Sequence, residues 1–288
     1  MLNKKKRRDP WFLDDYTVNP YSGCSFNCTF CYIRGSKYGV HMERSMSVKE
    51  NAIAILDKQL SLRARKNQYG IIVVSSATEP YLQIEPEQQL TRNILELILR
   101  YRFPVHVITR SNLVTRDFDI LEEINKNAIL PPDLEGRVPA KALITFSFST
   151  LDDNVAHLFE PGATPPSKRL DCVNETLARG FYSGISLMPL LPYITDSEAD
   201  LERFYSTFSG IGVKYIFPAS ITLFGDGPAA SKTLTLRVID QYFPQLTESY
   251  TKLFATGYQI DYNYHKAFDN RVAGIRKKYN IPDKILLS

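Results

Sequence analysis

The sequence predicts an α/β protein built on a parallel sheet. Short apolar runs, such as residues 71–74 and 105–109, are typical of strands that are covered on both faces. They alternate with longer amphipathic stretches that have helical spacing, and this alternation indicates β–α–β units. About six strands of this kind are predicted, and no Gly-x-Gly-x-x-Gly turn follows any of them. The pattern therefore favours a barrel or open barrel over a dinucleotide-binding sheet.

The individual elements are predicted from apolar periodicity and from residues that mark helix boundaries. Pro86 suits the first turn of a helix, and Gly180 stands where a helix is expected to end. The strands are predicted at residues 71–74, 105–109, 142–149, 182–188 and 213–217. The helices are predicted at residues 48–66, 86–101, 116–126, 167–179, 197–208, 232–243 and 245–256.

Polar residues collect where the apolar runs end. In parallel α/β barrels the carboxyl ends of the strands carry the chemistry, so these segments predict one functional edge of the sheet. The segments that end the runs are residues 75–79, 109–111, 147–149 and 186–189.

Composition excludes several classes of protein. With 44% hydrophobic and 23% charged residues, the 288-residue chain has ample apolar surface for a core, so intrinsic disorder is excluded. Four cysteines are too few for a disulfide scaffold. No run approaches the ~18 apolar residues of a membrane helix, and no signal peptide is apparent, so we expect a cytoplasmic protein.

The net charge of +4 comes from the amino terminus. Residues 4–8 are five consecutive cations, and the rest of the chain sums to about −1. Such a run could bind phosphates, although a solvated tail is the more common interpretation. We therefore expect a basic arm over residues 1–18, a barrel over 19–225 and a helical extension packed on it over 226–288.

The cysteines are unevenly distributed, because Cys24, Cys28 and Cys31 follow the pattern C-x3-C-x2-C while Cys172 stands alone. Structural zinc takes four protein ligands, so a zinc site would need His41 or a distant residue to complete it. A four-iron cluster bound by three cysteines keeps one iron open for another ligand. The spacing therefore favours a catalytic iron–sulfur centre, with zinc as the alternative. Cys172 falls inside a predicted helix and is expected to pack as a small buried side chain.

The cysteine pattern, with Phe30 just before its last member, resembles the signature of the radical S-adenosylmethionine superfamily. Further segments between residues 19 and 196 resemble the branch related to spore photoproduct lyase, also described as DNA repair photolyase-like. These segments are Asn19-Pro20-Tyr21-Ser22-Gly23-Cys24, Cys31-Tyr32, Thr78-Glu79-Pro80-Tyr81, Ile108-Thr109-Arg110-Ser111, Glu160-Pro161-Gly162 and Lys168-Arg169-Leu170.

The resemblance implies a partial (β/α)6 TIM-like barrel with a C-terminal helical extension. It also implies a [4Fe-4S] cluster on the three cysteines, with S-adenosylmethionine bound to the open iron. In that family an electron from the cluster cleaves S-adenosylmethionine, and the 5′-deoxyadenosyl radical that results abstracts a hydrogen atom from the substrate.

The resemblance also assigns residues to the S-adenosylmethionine site. Phe30 would pack near the adenine, and Thr78 with Glu79 would meet the methionine amino group. Tyr32, beside the cluster, could carry a radical or simply pack. The methionine carboxylate calls for a charge-assisted donor. The candidates for it are Ser149, Lys168 and Arg169.

The substrate is expected to be a nucleic acid by resemblance, with a peptide or small metabolite as the first alternative. A zinc-containing nucleic-acid-binding protein is the alternative from another class. We further expect an external electron donor of the flavodoxin or ferredoxin type, no membrane association and a monomer.

Overall fold

The computed structural model describes residues 1–35, 47–48 and 51–287. Among these residues, a seven-stranded sheet has the order β1-β2-β5-β6-β7-β8-β9, and β3 pairs with β4 in a separate antiparallel ribbon. The strands are β1 (Leu2–Lys4), β2 (Tyr16–Val18), β3 (Tyr21–Ser22), β4 (Ser47–Val48), β5 (Ile72–Val74), β6 (Val105–Thr109), β7 (Ala142–Ser147), β8 (Tyr182–Leu190) and β9 (Ile216–Ser220).

Helices connect the strands, so that each parallel strand is reached through a crossover. The helices are α1 (Ala52–Arg65), α2 (Glu85–Gln88), α3 (Leu90–Arg100), α4 (Phe118–Asn127), α5 (Asp153–Phe159), α6 (Pro166–Ala178), α7 (Glu198–Ile211), α8 (Ser231–Tyr242), α9 (Thr247–Leu253) and α10 (Tyr262–Tyr279). Short 3-10 helices span Asn112–Asp117, Pro132–Leu134 and Pro244–Leu246.

The predicted fold class is confirmed. Strands β2, β5, β6, β7, β8 and β9 pair in parallel, and their order in the sheet is their order in the chain. This is the arrangement of a partial (β/α)6 barrel. The sheet is open among the described strands, because the antiparallel strand β1 forms one edge and β9 forms the other.

The two faces of the sheet have different surroundings. One face packs on the helices, and its side chains come from every second residue of each strand. It carries Ile72, Val107 and Ile144, which share a core with Leu56 of α1 and Ile94 of α3. The opposite face is more polar and is lined by buried side chains such as Thr17, His106, Thr145, Ser147 and Ser186. The polar side chains of this inner face are the ones that could contact a ligand with polar groups.

Several predicted boundaries are corrected by the structure. The helix expected over residues 86–101 is divided at Gln89, whose φ of 49° is left-handed, and the helix expected over residues 48–66 begins at Ala52. Two helices have no counterpart in the sequence-based prediction. Helix α5 is only seven residues long, and α10 buries little besides Phe268 and Val272, so its apolar periodicity is weak.

The basic arm is ordered against the body of the protein, although residues 4–7 are exposed as expected of a solvated run. Strand β1 pairs with β2, the Lys5 ammonium lies 3.3 Å from Asp14, and the Arg8 guanidinium lies 2.8 Å from Asp15 and also contacts Asp133. Its cations are therefore partly neutralised by the body of the protein. No helix in the described part of the chain is long and apolar enough to cross a membrane.

Candidate active site

The cysteine loop lies between β3 and the carboxyl ends of the parallel strands. Left-handed backbone at Gly23 (φ 87°) and Asn27 (φ 54°) turns the chain sharply on either side of Cys24. Below the loop, the Tyr21 hydroxyl donates to the buried carboxylate of Glu85. Cys24, Cys28 and Cys31 lie close enough in this loop for their charges to interact.

Backbone hydrogen bonds tie the loop to the segment that follows α5. The Thr29 N–H donates to the Phe159 carbonyl at 2.8 Å, and the Gly162 N–H donates to the Phe26 carbonyl at 2.9 Å. A Cβ at Gly162 would lie only 2.5 Å from the Ser25 carbonyl oxygen, so this close approach requires glycine. The approach explains in physical terms why a glycine follows Glu160 and Pro161 in the chain.

The three loop thiols are held in a desolvated environment. Burial raises the pKa of the Cys24 thiol to about 11, and it raises the pKa of Cys28 and of Cys31 as well. The positive charge of Arg110 opposes that increase in pKa at Cys28 and at Cys31. A metal centre that binds these thiolates would therefore displace protons from them.

Three thiol donors are the set that a four-iron cluster with one open iron takes. No group of three His, Cys, Asp or Glu side chains in the described ranges is arranged to hold one ion. A four-iron cluster contacts each cysteine through a different iron, so its ligands need not converge on one point. His41, the expected fourth ligand of a zinc site, lies outside the described residues.

Glu79 follows β5 and is buried beside the loop. Its carboxylate accepts hydrogen bonds from the Tyr81 N–H (3.0 Å), the Thr109 hydroxyl (2.5 Å) and the Arg110 N–H (2.9 Å). Burial raises the pKa of Glu79 to about 7, although these three hydrogen bonds and the charge of Arg110 lower it. The carboxylate is thus rigidly oriented and poised between its two protonation states at neutral pH.

Three buried charged side chains form a cluster that the sequence prediction missed. The Arg110 Nη1 donates to Glu160 Oε2 at 2.6 Å, while Arg169 Nη2 donates to Glu160 Oε1. The remaining terminal nitrogens donate to main-chain carbonyls, Arg110 to that of Met188 and Arg169 to that of Ser147. Both Arg110 and Glu160 lie in segments that the sequence analysis had singled out, at a strand end and at Glu160-Pro161-Gly162, without assigning them a role.

Two predicted site residues carry buried hydroxyl oxygens without a partner. Among the described residues, Ser149 Oγ and Thr78 Oγ1 make no hydrogen bond. Ser149 follows β7 and Thr78 follows β5, so both lie at the functional edge of the sheet. Buried hydroxyls without partners are uncommon and costly, which is consistent with a ligand that completes them.

The predicted aromatic residues differ in exposure. Phe30 is buried in an apolar cluster with Phe159, Leu191 and Leu223, and the Arg110 guanidinium lies 5.4 Å from its ring centroid. Tyr32 is half exposed, and its hydroxyl donates to the Ser76 carbonyl at 2.5 Å. Phe30 is therefore a buried packing residue, whereas Tyr32 is accessible to solvent.

The structure separates the two basic candidates for the carboxylate of S-adenosylmethionine. Arg169 is fully buried, with its guanidinium 4.9 Å from the Phe148 ring centroid. Lys168 is two-thirds exposed and lies 3.6 Å from Asp171 on the surface of α6. Cys172 is buried in the same helix, with its sulfur 3.8 Å from the Asn112 carbonyl oxygen, as expected for a packing role.

Residues 18–205 match the family model of the radical SAM superfamily. The match covers more than half of the chain, so the protein belongs to the radical SAM superfamily and is an enzyme. Family membership implies S-adenosylmethionine and an iron–sulfur cluster as cofactors.

Relatives and solved structures extend this assignment. The chain is 23% identical over 273 residues to an uncharacterised protein of Mycobacterium bovis, covering 92% of this chain and 75% of that one. It is also 23% identical over 249 residues to the radical SAM Nα-GlyT isomerase of Pseudomonas phage M6, covering 86% of this chain and 47% of the isomerase.

Among solved structures, a spore photoproduct lyase variant with dinucleoside spore photoproduct superimposes with a TM-score of 0.62 at 14% identity. The match covers 97% of this chain and 76% of the lyase. Streptococcus suis SuiB bound to the precursor peptide SuiA gives a TM-score of 0.54 at 13% identity, covering 94% of this chain and 47% of SuiB. At these identities the two likenesses show the fold.

Proposed function

We propose that this enzyme holds a [4Fe-4S] cluster on Cys24, Cys28 and Cys31 and binds S-adenosylmethionine at the carboxyl edge of the sheet. When bound, the two cofactors supply reductive cleavage of S-adenosylmethionine and a 5′-deoxyadenosyl radical for hydrogen abstraction. The observation that carries the proposal is the placement of the three thiols beside two buried charged residues, with Glu79 acting on Cys24 and Arg110 acting on Cys28 and Cys31.

The residues of this chain would orient S-adenosylmethionine by complementary charge. Glu79, with Thr78 beside it, is assigned to the methionine amino group, because a carboxylate fixed by three donors is a preorganised acceptor for an ammonium. Ser149 is assigned to the methionine carboxylate. Of the two basic candidates, Arg169 is preferred over Lys168, since it faces the interior.

Phe30 would exclude water from one side of the cofactor. The ring is buried among apolar side chains, and a dry wall strengthens every charge interaction inside the site. Tyr32 is assigned to the catalytic set because it is an exposed aromatic residue next to Cys31, where a substrate could reach it.

We propose a nucleic acid as the substrate, with an external flavodoxin- or ferredoxin-type protein as electron donor. The likeness to the lyase structure, which contains a dinucleoside spore photoproduct, supports this substrate class. The peptide alternative is supported by the likeness to SuiB with its precursor peptide.

Anaerobic reconstitution tests the cofactor assignment. We expect about four irons and four sulfides per chain, and release of 5′-deoxyadenosine when dithionite and S-adenosylmethionine are added. Cys28→Ala should abolish both the cluster and the release. Cys172→Ala is the matched control, because that thiol is buried in α6 away from the loop, and it should retain both.

Two outcomes would point elsewhere. A colourless protein that contains zinc and binds DNA with steep salt dependence would replace the enzyme by a zinc-containing nucleic-acid-binding protein. Cleavage of S-adenosylmethionine that is stimulated by peptides, while single-stranded and duplex DNA stay unmodified by mass spectrometry, would favour the peptide alternative.

A further inference from the structure

Arg110 is a buried cation that the assigned roles above do not use. The Arg110 side chain is 14% exposed. It forms an ion-pair cluster with Glu160 and Arg169, whose side chains are fully buried. Two guanidinium groups share one carboxylate, so the cluster carries one positive charge in excess. An excess charge that is removed from water is costly unless a negative partner lies nearby.

The excess charge lies next to the cysteine loop. The Arg110 guanidinium is 5.4 Å from the ring centroid of Phe30, which immediately precedes Cys31 in the chain. Its charge is close enough to interact with both Cys28 and Cys31. The other carboxylate in contact with this segment, Glu79, bonds to the Arg110 main-chain N–H at 2.9 Å and to the Thr109 hydroxyl, and not to the guanidinium.

The position of the guanidinium is fixed. Nη1 donates to Glu160 and Nη2 donates to the Met188 carbonyl, so rotation of the side chain would break two hydrogen bonds in a dry environment. A charge that is held in this way acts through its field without having to move.

We infer that Arg110, held by Glu160, is a positioning residue that raises the reduction potential of the cluster on Cys24, Cys28 and Cys31. Reduction adds a negative charge to the cluster, and a fixed cation close to its ligands stabilises that charge. The net charge around an iron–sulfur cluster is among the factors that set its potential. Arg110 thereby eases delivery of the first electron, on which the proposed function depends.

The test is a potentiometric titration of the reconstituted cluster, followed by electron paramagnetic resonance without S-adenosylmethionine. At full iron content, Arg110→Gln should lower the equilibrium constant for one-electron reduction about tenfold, which is about 59 mV more negative. Arg110→Lys keeps the charge and should stay closer to the wild type. Glu160→Gln removes the compensating anion and should shift the potential in the positive direction.

Arg179→Gln is the matched control. Arg179 also lies over a phenylalanine ring, 5.2 Å from the centroid of Phe118, and also pairs with a glutamate, Glu122, but it is half exposed on the surface. Its replacement should leave the potential unchanged.

Equal potentials for Arg110→Gln and the wild type would overturn the inference, as would an equal shift in Arg110→Lys and Arg110→Gln. If Arg110→Gln does not retain the cluster, the other three proteins decide the question. Control by charge then requires the reduction potential of Glu160→Gln to be more positive than those of the wild type and of Arg110→Lys. A wild-type chain without a four-iron cluster would instead overturn the proposed function, so the two failures are distinguishable.

Discussion

The two ends of the parallel sheet differ in how they treat buried polar groups. At the amino end, Trp11 stacks on Phe217 with ring centroids 5.6 Å apart, and His106 bonds to the Phe12 carbonyl (2.8 Å) and to the Thr145 hydroxyl (2.6 Å). At the carboxyl end, the buried hydroxyls of Ser75, Thr78 and Ser149 make no hydrogen bond among the described residues.

This difference separates the part of the sheet that supplies stability from the part that is built for a ligand. A buried donor or acceptor without a partner costs roughly 1–3 kcal/mol, so the carboxyl end gives up stability that the amino end retains. The same division of labour is found in parallel α/β barrels, where the chemistry lies at the carboxyl ends of the strands. Substitutions at the amino end should therefore affect mainly folding, whereas substitutions at the carboxyl end should affect mainly cofactor binding.

The largest expected effect is at the amino end. Phe217→Ala should reduce the free energy of unfolding by about 3–5 kcal/mol, because the ring is fully buried and packs against Trp11, Phe12 and Tyr215. Urea unfolding measures the change. Phe224→Ala at the carboxyl end is the comparison, and it should reduce the free energy of unfolding by less because the Phe224 ring is only partly buried. A smaller loss for Phe217→Ala than for Phe224→Ala would break the comparison.

The buried imidazole at the amino end should make stability depend on pH. Burial lowers the pKa of His106 from 6.5 to about 4, so the unfolded chain takes up a proton between these pH values that the folded chain does not. Stability from this group is complete above pH 6.5 and is lost as the pH falls toward 4, by about 3 kcal/mol in total.

Urea unfolding at pH 7 and pH 4.5 measures this contribution. His106→Gln removes the titrating group, so the variant should lose less stability than the wild type over that interval, whatever its stability at pH 7. Carboxylates that titrate in the same range affect both proteins alike, and equal losses in both would show that His106 does not contribute.

A smaller loss is expected from the hydrogen-bond network itself. The Thr145 hydroxyl joins His106 to the Tyr215 hydroxyl, which lies 2.7 Å away. Thr145→Val keeps the shape but leaves both partners short of a hydrogen bond, and we expect a loss of about 1–3 kcal/mol in the free energy of unfolding. A neutral result in urea unfolding would mean that the network is not a source of stability.

The smallest loss of stability is expected at the carboxyl end. Ser149→Ala removes a buried hydroxyl that makes no internal hydrogen bond, so the free energy of unfolding of the cofactor-free protein should not fall and should rise by up to about 1–3 kcal/mol. Affinity for S-adenosylmethionine, measured by calorimetry on the reconstituted protein, should fall about tenfold, because a charge-assisted hydrogen bond is lost. A destabilised variant with unchanged affinity would reverse the assignment of this end.

Local sequence was enough to predict most of the elements and to place three cysteines in one loop. The apolar run over residues 71–74 is buried, as its composition predicts. The thiols of Cys24, Cys28 and Cys31 lie in one loop because the chain between them is short. The alternation of such runs with amphipathic stretches was enough to predict a parallel sheet with its functional edge.

Tertiary structure alone decided which charges meet. Arg110 and Glu160 are 50 residues apart, and Phe12 is 94 residues from His106, so no periodicity links either pair. Helix α10 escaped prediction because it buries few apolar side chains. Lys168 and Arg169 are adjacent and chemically alike in sequence, yet one faces water and the other is fully buried. Whether a side chain is buried, and which group it bonds to, depends on the segments that the fold places beside it. Spacing along the chain gives information only about residues that are near one another in sequence.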